Sequence, residues 1–218
     1  MVHWLYAILG VITDDLELIE RHAELLTDIV RVAGLRQGVG PSCWLRGIVE
    51  LRRGRAEAGL ELLNEGYTAH ASLGMYSGLP AVLSFKAEAL HALGRHDDAE
   101  QAIDEALALV ERLDERGMIE LLLVRKSRIV ARHGDEAVLQ CLAEGLREAQ
   151  VEDSVGGELL VRVEIAARTR RTAADLDALA AIYERAPEWH DTPVATRARE
   201  LLASRDGKPD KPKKATAR

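Results

Sequence analysis

Residues 87–107, AEALHALGRHDDAEQAIDEAL, constrain the fold of this chain more than any other stretch. They read as two short amphipathic helices joined by a turn at Gly94-Arg95, with small residues at Ala87, Ala99 and Ala106. Alanines at such spacing leave only methyl groups between two antiparallel helices, so the segment predicts a tightly crossed helical hairpin. The pattern also recurs. Steps of forty residues from Gly94 place turns at Asp14, Gly54 and Gly134, and one further step lands on Ala174, beside a break at Arg171-Thr172. Trp4 and Trp44 are likewise forty apart, each ten residues before its turn. Self-similarity at a fixed period of this size is the signature of a repeat architecture.

The predicted pairs are residues 2–12 with 16–33, 41–53 with 56–73, 79–93 with 97–114, 118–133 with 136–149, and 157–169 with 173–186. In the second pair the small positions are Gly47, Gly59 and Gly66. Glycine inside a helix costs about 1 kcal/mol against alanine, so three of them require a crossing that a Cβ would obstruct. The fourth pair is degenerate, and its Gly145 fits only if the turn after Gly134 is one residue shorter. Residues 34–40, GLRQGVG, read as a helix C-cap and loop rather than a phosphate cradle, because they follow a helix and lack the lysine. Thr192-Pro193 start a last helix running to Ala203, a cap for the open end of the stack. Residues 1–204 thus form one helical repeat domain, followed by a basic tail, 205–218, with almost no apolar content and an expectation of disorder.

A forty-residue stride lies in the range of HEAT repeats, but a Gly-Arg turn, a small residue soon after it and another seven further on resemble the tetratricopeptide repeat. The expected fold is therefore all-α: a right-handed superhelical solenoid of about five tetratricopeptide-like hairpins plus a C-terminal capping helix. WLRGIVELRRGRAEAGLELLNEGY, GLPAVLSFKAEALHALGRHDDAEQAIDEALALVERLDERG and YERAPEWHDTPVATRARELL resemble a particular region. It is the tetratricopeptide-like C-terminal region of bacterial class III adenylate cyclases and predicted signalling ATPases, akin to the helical arm of MalT- and LuxR-type regulators. The resemblance spans about residues 1–204 and is most specific at Gly78-Leu79-Pro80 and Asp191-Thr192. It implies a sensor and protein-contact arm behind a nucleotide-handling domain. The catalytic parts of such proteins have no counterpart here: no GxxxxGK[ST] loop, paired cyclase aspartates or helix-turn-helix can be found. The expectation is a non-catalytic protein–protein interaction or regulatory domain, one form of which is the detached arm of a signalling cyclase or ATPase.

Composition narrows the partner. The formal net charge is -7, and the tail from Gly207 carries five basic residues and one acid, so the body before it holds -11. An acidic body argues against nucleic acid as a partner. Lysine occurs only at Lys86 and Lys126 before the tail, a usage that fits a GC-rich bacterial gene. Cys43 and Cys141 match no zinc spacing and read as reduced thiols. Residues 2–13 are apolar but too short for a membrane span, and they lack a basic leader and cleavage site. A cytoplasmic protein is expected, with no membrane association, cofactor or metal. Self-association by stacking of solenoid ends is a further expectation.

Candidate binding residues follow from the rule that the first helix of each pair lines the concave face. They are Trp4, Trp44 and Ile48, then Phe85, Glu88 and His91, then Arg125, Arg128 and Arg132. The resulting groove is apolar at the first pairs and basic at the fourth, suited to an acidic-ended helix or peptide. Two other readings stay open: tryptophans as inter-helix core with arginines as a solvated face, or a small effector seated near Trp4 and Trp44. His91 and His96 lie close in sequence, but no carboxylate completes a metal-ligand set.

Overall fold

The computed structural model describes residues 6, 9–11, 13, 15–168 and 172–204. Trp4, most of the first predicted helix and the basic tail lie outside the described residues. Those described are mostly helical, with no strand among them. The α-helices are α1 (Leu16–Ala33), α2 (Arg36–Arg52), α3 (Ala56–Ala71), α4 (Leu79–Ala92) and α5 (His96–Leu113). They continue with α6 (Ile119–Ile129), α7 (Asp135–Val151), α8 (Val155–Arg168), α9 (Ala173–Arg185) and α10 (Pro193–Ala203). Short 3-10 turns precede and follow α6 and precede α10. No helix among the described residues is long and apolar enough to cross a membrane.

Local chemistry sets the boundaries. Asp15 caps α1 by accepting the Leu18 N–H at 3.0 Å. Ile19, Ala23, Leu26 and Val30 then make its buried stripe, before Gly34 ends it in the left-handed region at φ 63°. Thr172 and Asp175 close a capping box at the start of α9. Thr192 caps α10 ahead of Pro193. The turns inside successive pairs, Gly54, Gly94 and Gly134, all have positive φ, at 77°, 75° and 100°. The terminators between pairs, Gly34, Gly74, Asp114 and Asp153, do too. The stride of about forty residues is therefore written in the backbone as well as in the residue types.

Two boundaries differ from expectation. α2 begins at Arg36 rather than Pro41, so Gly38 and Gly40 are helical rather than loop. Packing explains this, because a Cβ on Gly40 would meet Gly66 O of α3 at 3.0 Å and His70 Cβ at 2.9 Å. The close crossing of α2 with α3 thus extends further back than propensity alone allows. The sixth helix gives way to a 3-10 turn at Val130–His133. α7 then starts immediately after Gly134, whereas α3 and α5 start two residues after their glycines. That is the one-residue deficit which brings Gly145 to a buried place.

Each helix packs on the next in sequence. In addition α2 packs on α4, α4 on α6, α6 on α8, and α8 on α10. The even-numbered helices therefore form a continuous row. Burial follows the same stride: positions 41–45, 81–85 and 121–125 each show one half-buried residue followed by four buried ones. The largest apolar cluster runs from Val11 to Ile129, with fully buried Leu63, Phe85, Ile103 and Leu122 at its centre. Each such side chain contributes about 1.5–3 kcal/mol by leaving water. A second cluster, built on Leu159, Leu179 and Ala198, holds the last three helices together.

Candidate functional site

Residues of α2, α6, α8 and α10 frame a cavity of about 570 Å³. α6 presents Leu121, Val124, Arg125 and Arg128 to it, and α8 presents Leu160, Val163, Glu164, Ala167 and Arg168. Arg52 from the end of α2, the opening turn of α10 with Arg197, and Val11 complete the described wall. Side chains four apart on α6 and α8 share a face, so apolar and guanidinium groups alternate along it.

Two carboxylates organise the charge, each shared by two arginines. Glu88, on α4, lies 3.2 Å from an Arg52 guanidinium nitrogen and 3.5 Å from Arg125 Nε. Arg125 is 2% exposed, donates to Ser84 Oγ at 2.6 Å, and stacks 3.7 Å above the Phe85 ring centroid. The Arg52 guanidinium sits 5.6 Å from the same ring. An interior cation is tolerable there because a π-face, a hydroxyl and a carboxylate replace its water. Further along, Glu164 accepts a two-pronged pair from Arg128 at 2.9 and 3.3 Å and a bond from Arg168 Nε on its own helix. Burial alone pushes the Glu164 carboxyl up, and the Arg128 and Arg168 guanidiniums outweigh that, holding it below the usual carboxylate range. Glu164 is thus ionised at neutral pH.

The predicted site residues divide. Trp4 lies outside the described residues. Trp44, Ile48 and Phe85 are interior, grouped around an apolar void of only about 60 Å³, with the Trp44 ring edge-on to His70 at 4.5 Å. All three are core residues. Glu88, Arg125 and Arg128 come together in the two arginine–carboxylate groups. Arg132 turns to Glu100 and Asp97 on α5, at 2.7 and 2.6 Å. His91 lies with Nδ1 3.3 Å from His96 Nδ1. Burial, then His96 and Arg132, push its pKa down. Among the described residues no group of three His, Cys, Asp or Glu is placed to hold a metal ion. Cys43 and Cys141 are free buried thiols.

Arg52, Glu164, Arg168 and Arg197 escaped the sequence reading. A signal for two of them existed: Arg168 stands forty residues after Arg128, and Glu164 forty after the buried Val124. No family model and no curated protein matches the chain.

Proposed function

We propose that the chain is a non-catalytic protein–protein interaction or regulatory module, a right-handed tetratricopeptide-like solenoid of about five hairpins closed by α10. The packing of every even-numbered helix on the next supports the solenoid, since the first helices of stacked hairpins make that contact. Glycine and alanine at equivalent crossings support the tetratricopeptide likeness: Gly47, Gly59 and Gly66 in one pair answer to Ala87, Ala99 and Ala106 in the next. The observation that carries the function is the cavity lined by arginines of α2, α6, α8 and α10. Its partner is a protein segment with acidic side chains, attracted by charge and fixed by bidentate guanidinium pairing.

Fluorescence anisotropy with a panel of acidic and neutral helical peptides tests this. Acidic peptides are expected to bind with a strong salt dependence, and Arg128→Glu combined with Arg197→Glu to abolish binding while circular dichroism stays unchanged. Equal affinity for neutral peptides, or binding indifferent to the double substitution, refutes the reading. A small effector beside Trp44 is disfavoured by the size of the 60 Å³ void. The larger chamber is the better place to look for one.

A further inference from the structure

We propose that His91 and His96 form a zinc site, a two-imidazole clip across the turn between α4 and α5 whose remaining coordination positions are filled by water. The inference goes beyond the interaction-module reading and does not depend on it. Geometry is the first argument. The two Nδ1 atoms stand 3.3 Å apart. Zinc bound to two nitrogens at about 2.05 Å, with a tetrahedral angle between them, sets those nitrogens about 3.3 Å apart. The ring centroids are 4.9 Å apart and the planes are inclined at 59°. Rings aimed at a shared ion would have centroids about 5.1 Å apart, whereas a straight hydrogen bond between the nitrogens would hold them at about 5.6 Å. The lone pairs are therefore bent off the line that joins them, as convergence on one ion requires.

The backbone fixes this arrangement. His91 lies in the last turn of α4, and His96 opens α5. Gly94, at φ 75°, makes the reversal between them, and the Arg95 N–H donates to Leu90 O at 2.9 Å. Both histidines are half-buried, which restricts the rotamers open to them. Protonation is a further argument. Burial, then His96 and Arg132, hold the His91 pKa down, so its imidazole is neutral at pH 7 and keeps a lone pair for a metal. From two neutral rings, zinc at both Nδ1 atoms requires each to carry its proton on Nε2, a tautomer shift without net proton release. Glu100 and Glu88 face His91 with negative charge, and His96 and Arg132 with positive. Glu100 is itself held by Arg132 and His133, and it supplies no third ligand. Two imidazoles without a carboxylate select zinc or copper over magnesium or calcium. A square-planar copper site would need the nitrogens about 2.9 Å apart, so the observed separation favours zinc.

Isothermal titration of the full chain with zinc chloride, in a buffer that does not bind metal, tests the proposal. Saturation at a single site is expected, with no such site for magnesium. His91→Gln and His96→Gln should each weaken it at least about tenfold, with circular dichroism unchanged, and His133→Gln should leave it as it was. In proton NMR the ring signals of His91 and His96 should shift together as zinc is added. Absence of saturable binding below about 1 mM overturns the proposal. So does binding that magnesium matches, that survives either substitution at the pair, or that His133→Gln weakens equally. Peptide binding at the arginine-lined cavity is read separately, and its failure leaves the zinc site standing.

Discussion

Replacing Gly59 by alanine sets two known effects against each other at one position. Alanine is the better helix former by about 1 kcal/mol, so at an open site Gly→Ala stabilises. Gly59 is not an open site. A Cβ built there would lie 2.9 Å from the Gly47 carbonyl oxygen and 3.2 Å from the Leu51 nitrogen, both backbone atoms of α2. No rotamer change relieves such a contact, so the two helices must separate by a few tenths of an ångström. Seven residues along each helix the same approach recurs, with a Gly66 Cβ 2.8 Å from Gly40 O and 2.3 Å from Trp44 Cδ1. Overpacking of this kind costs about 1–3 kcal/mol, and a crossing pinned at two rigid points belongs near the upper end. Net of propensity, Gly59→Ala should destabilise by about 1–2 kcal/mol and lower Tm by roughly 2–8 °C. Gly66→Ala, which must also displace the buried Trp44 indole, should lower it further. Gly117→Ala, where nothing lies within 4 Å, should leave Tm unchanged or raise it. In Gly47→Ala combined with Gly59→Ala, the separation forced by one methyl admits the other, so the loss should be smaller than the sum. Differential scanning calorimetry reads all four. If Gly59→Ala melts at or above the parent temperature, the close crossing does not set the packing of α2 on α3.

Three further outcomes follow from single environments. Arg125→Ala removes a buried guanidinium, strips the half-buried Glu88 of one partner and empties the space over Phe85, so chemical denaturation should show a loss of about 2–4 kcal/mol, while Arg132→Ala, on an exposed face, should leave the midpoint in place. His70 has its pKa pushed down by burial, and the Ser77 carbonyl contact only partly opposes this, so the unfolded chain takes up its proton first. Stability is therefore intact above the unfolded value of about 6.5 and falls as pH drops through it, and the urea midpoint should decline from pH 7.5 to pH 5 less steeply in His70→Gln. A parallel slope in that variant refutes the assignment. Cys43 and Cys141 are buried, and burial raises both thiol pKa values, so a thiol-specific dye should react with neither in the native protein and with both in denaturant.

Much of the fold was legible because helices forty residues apart repeat their burial along with their residues. Positions 44, 84, 124 and 164 are one rung of the stride, occupied by tryptophan, serine, valine and glutamate, and all four are buried. Seen alone, Trp44 invites a role in binding. Beside Ser84 and Val124 on the same rung it belongs to the interior, and the register held that information even though aromatic character suggested otherwise. The start of α2 was missed for the opposite reason. Glycine and proline at positions 38, 40 and 41 disfavour helix locally, and only the partner helix α3 rewards it there.

The candidate site was half legible, and the offset between neighbouring helices of the row explains which half. Ion pairs between neighbouring helices of the row join residues 36 or 37 apart, as in Arg52–Glu88, Glu88–Arg125 and Arg128–Glu164, rather than forty. The difference is about one helical turn, so each helix of the row meets its neighbour one turn out of step. A sequence shows the stride but not this offset, which is why Arg128 was found and its carboxylate was not. The rung at 48, 88, 128 and 168 then shows where charge had to gather. It passes from buried isoleucine through half-buried glutamate to two exposed arginines. An apolar side chain suffices where the rung is sealed, and a guanidinium is stable only where water, or a carboxylate one turn away, can reach it. The cavity lies at that charged end of the rung, on α6, α8 and α10, where the gradient in burial permits the arginines.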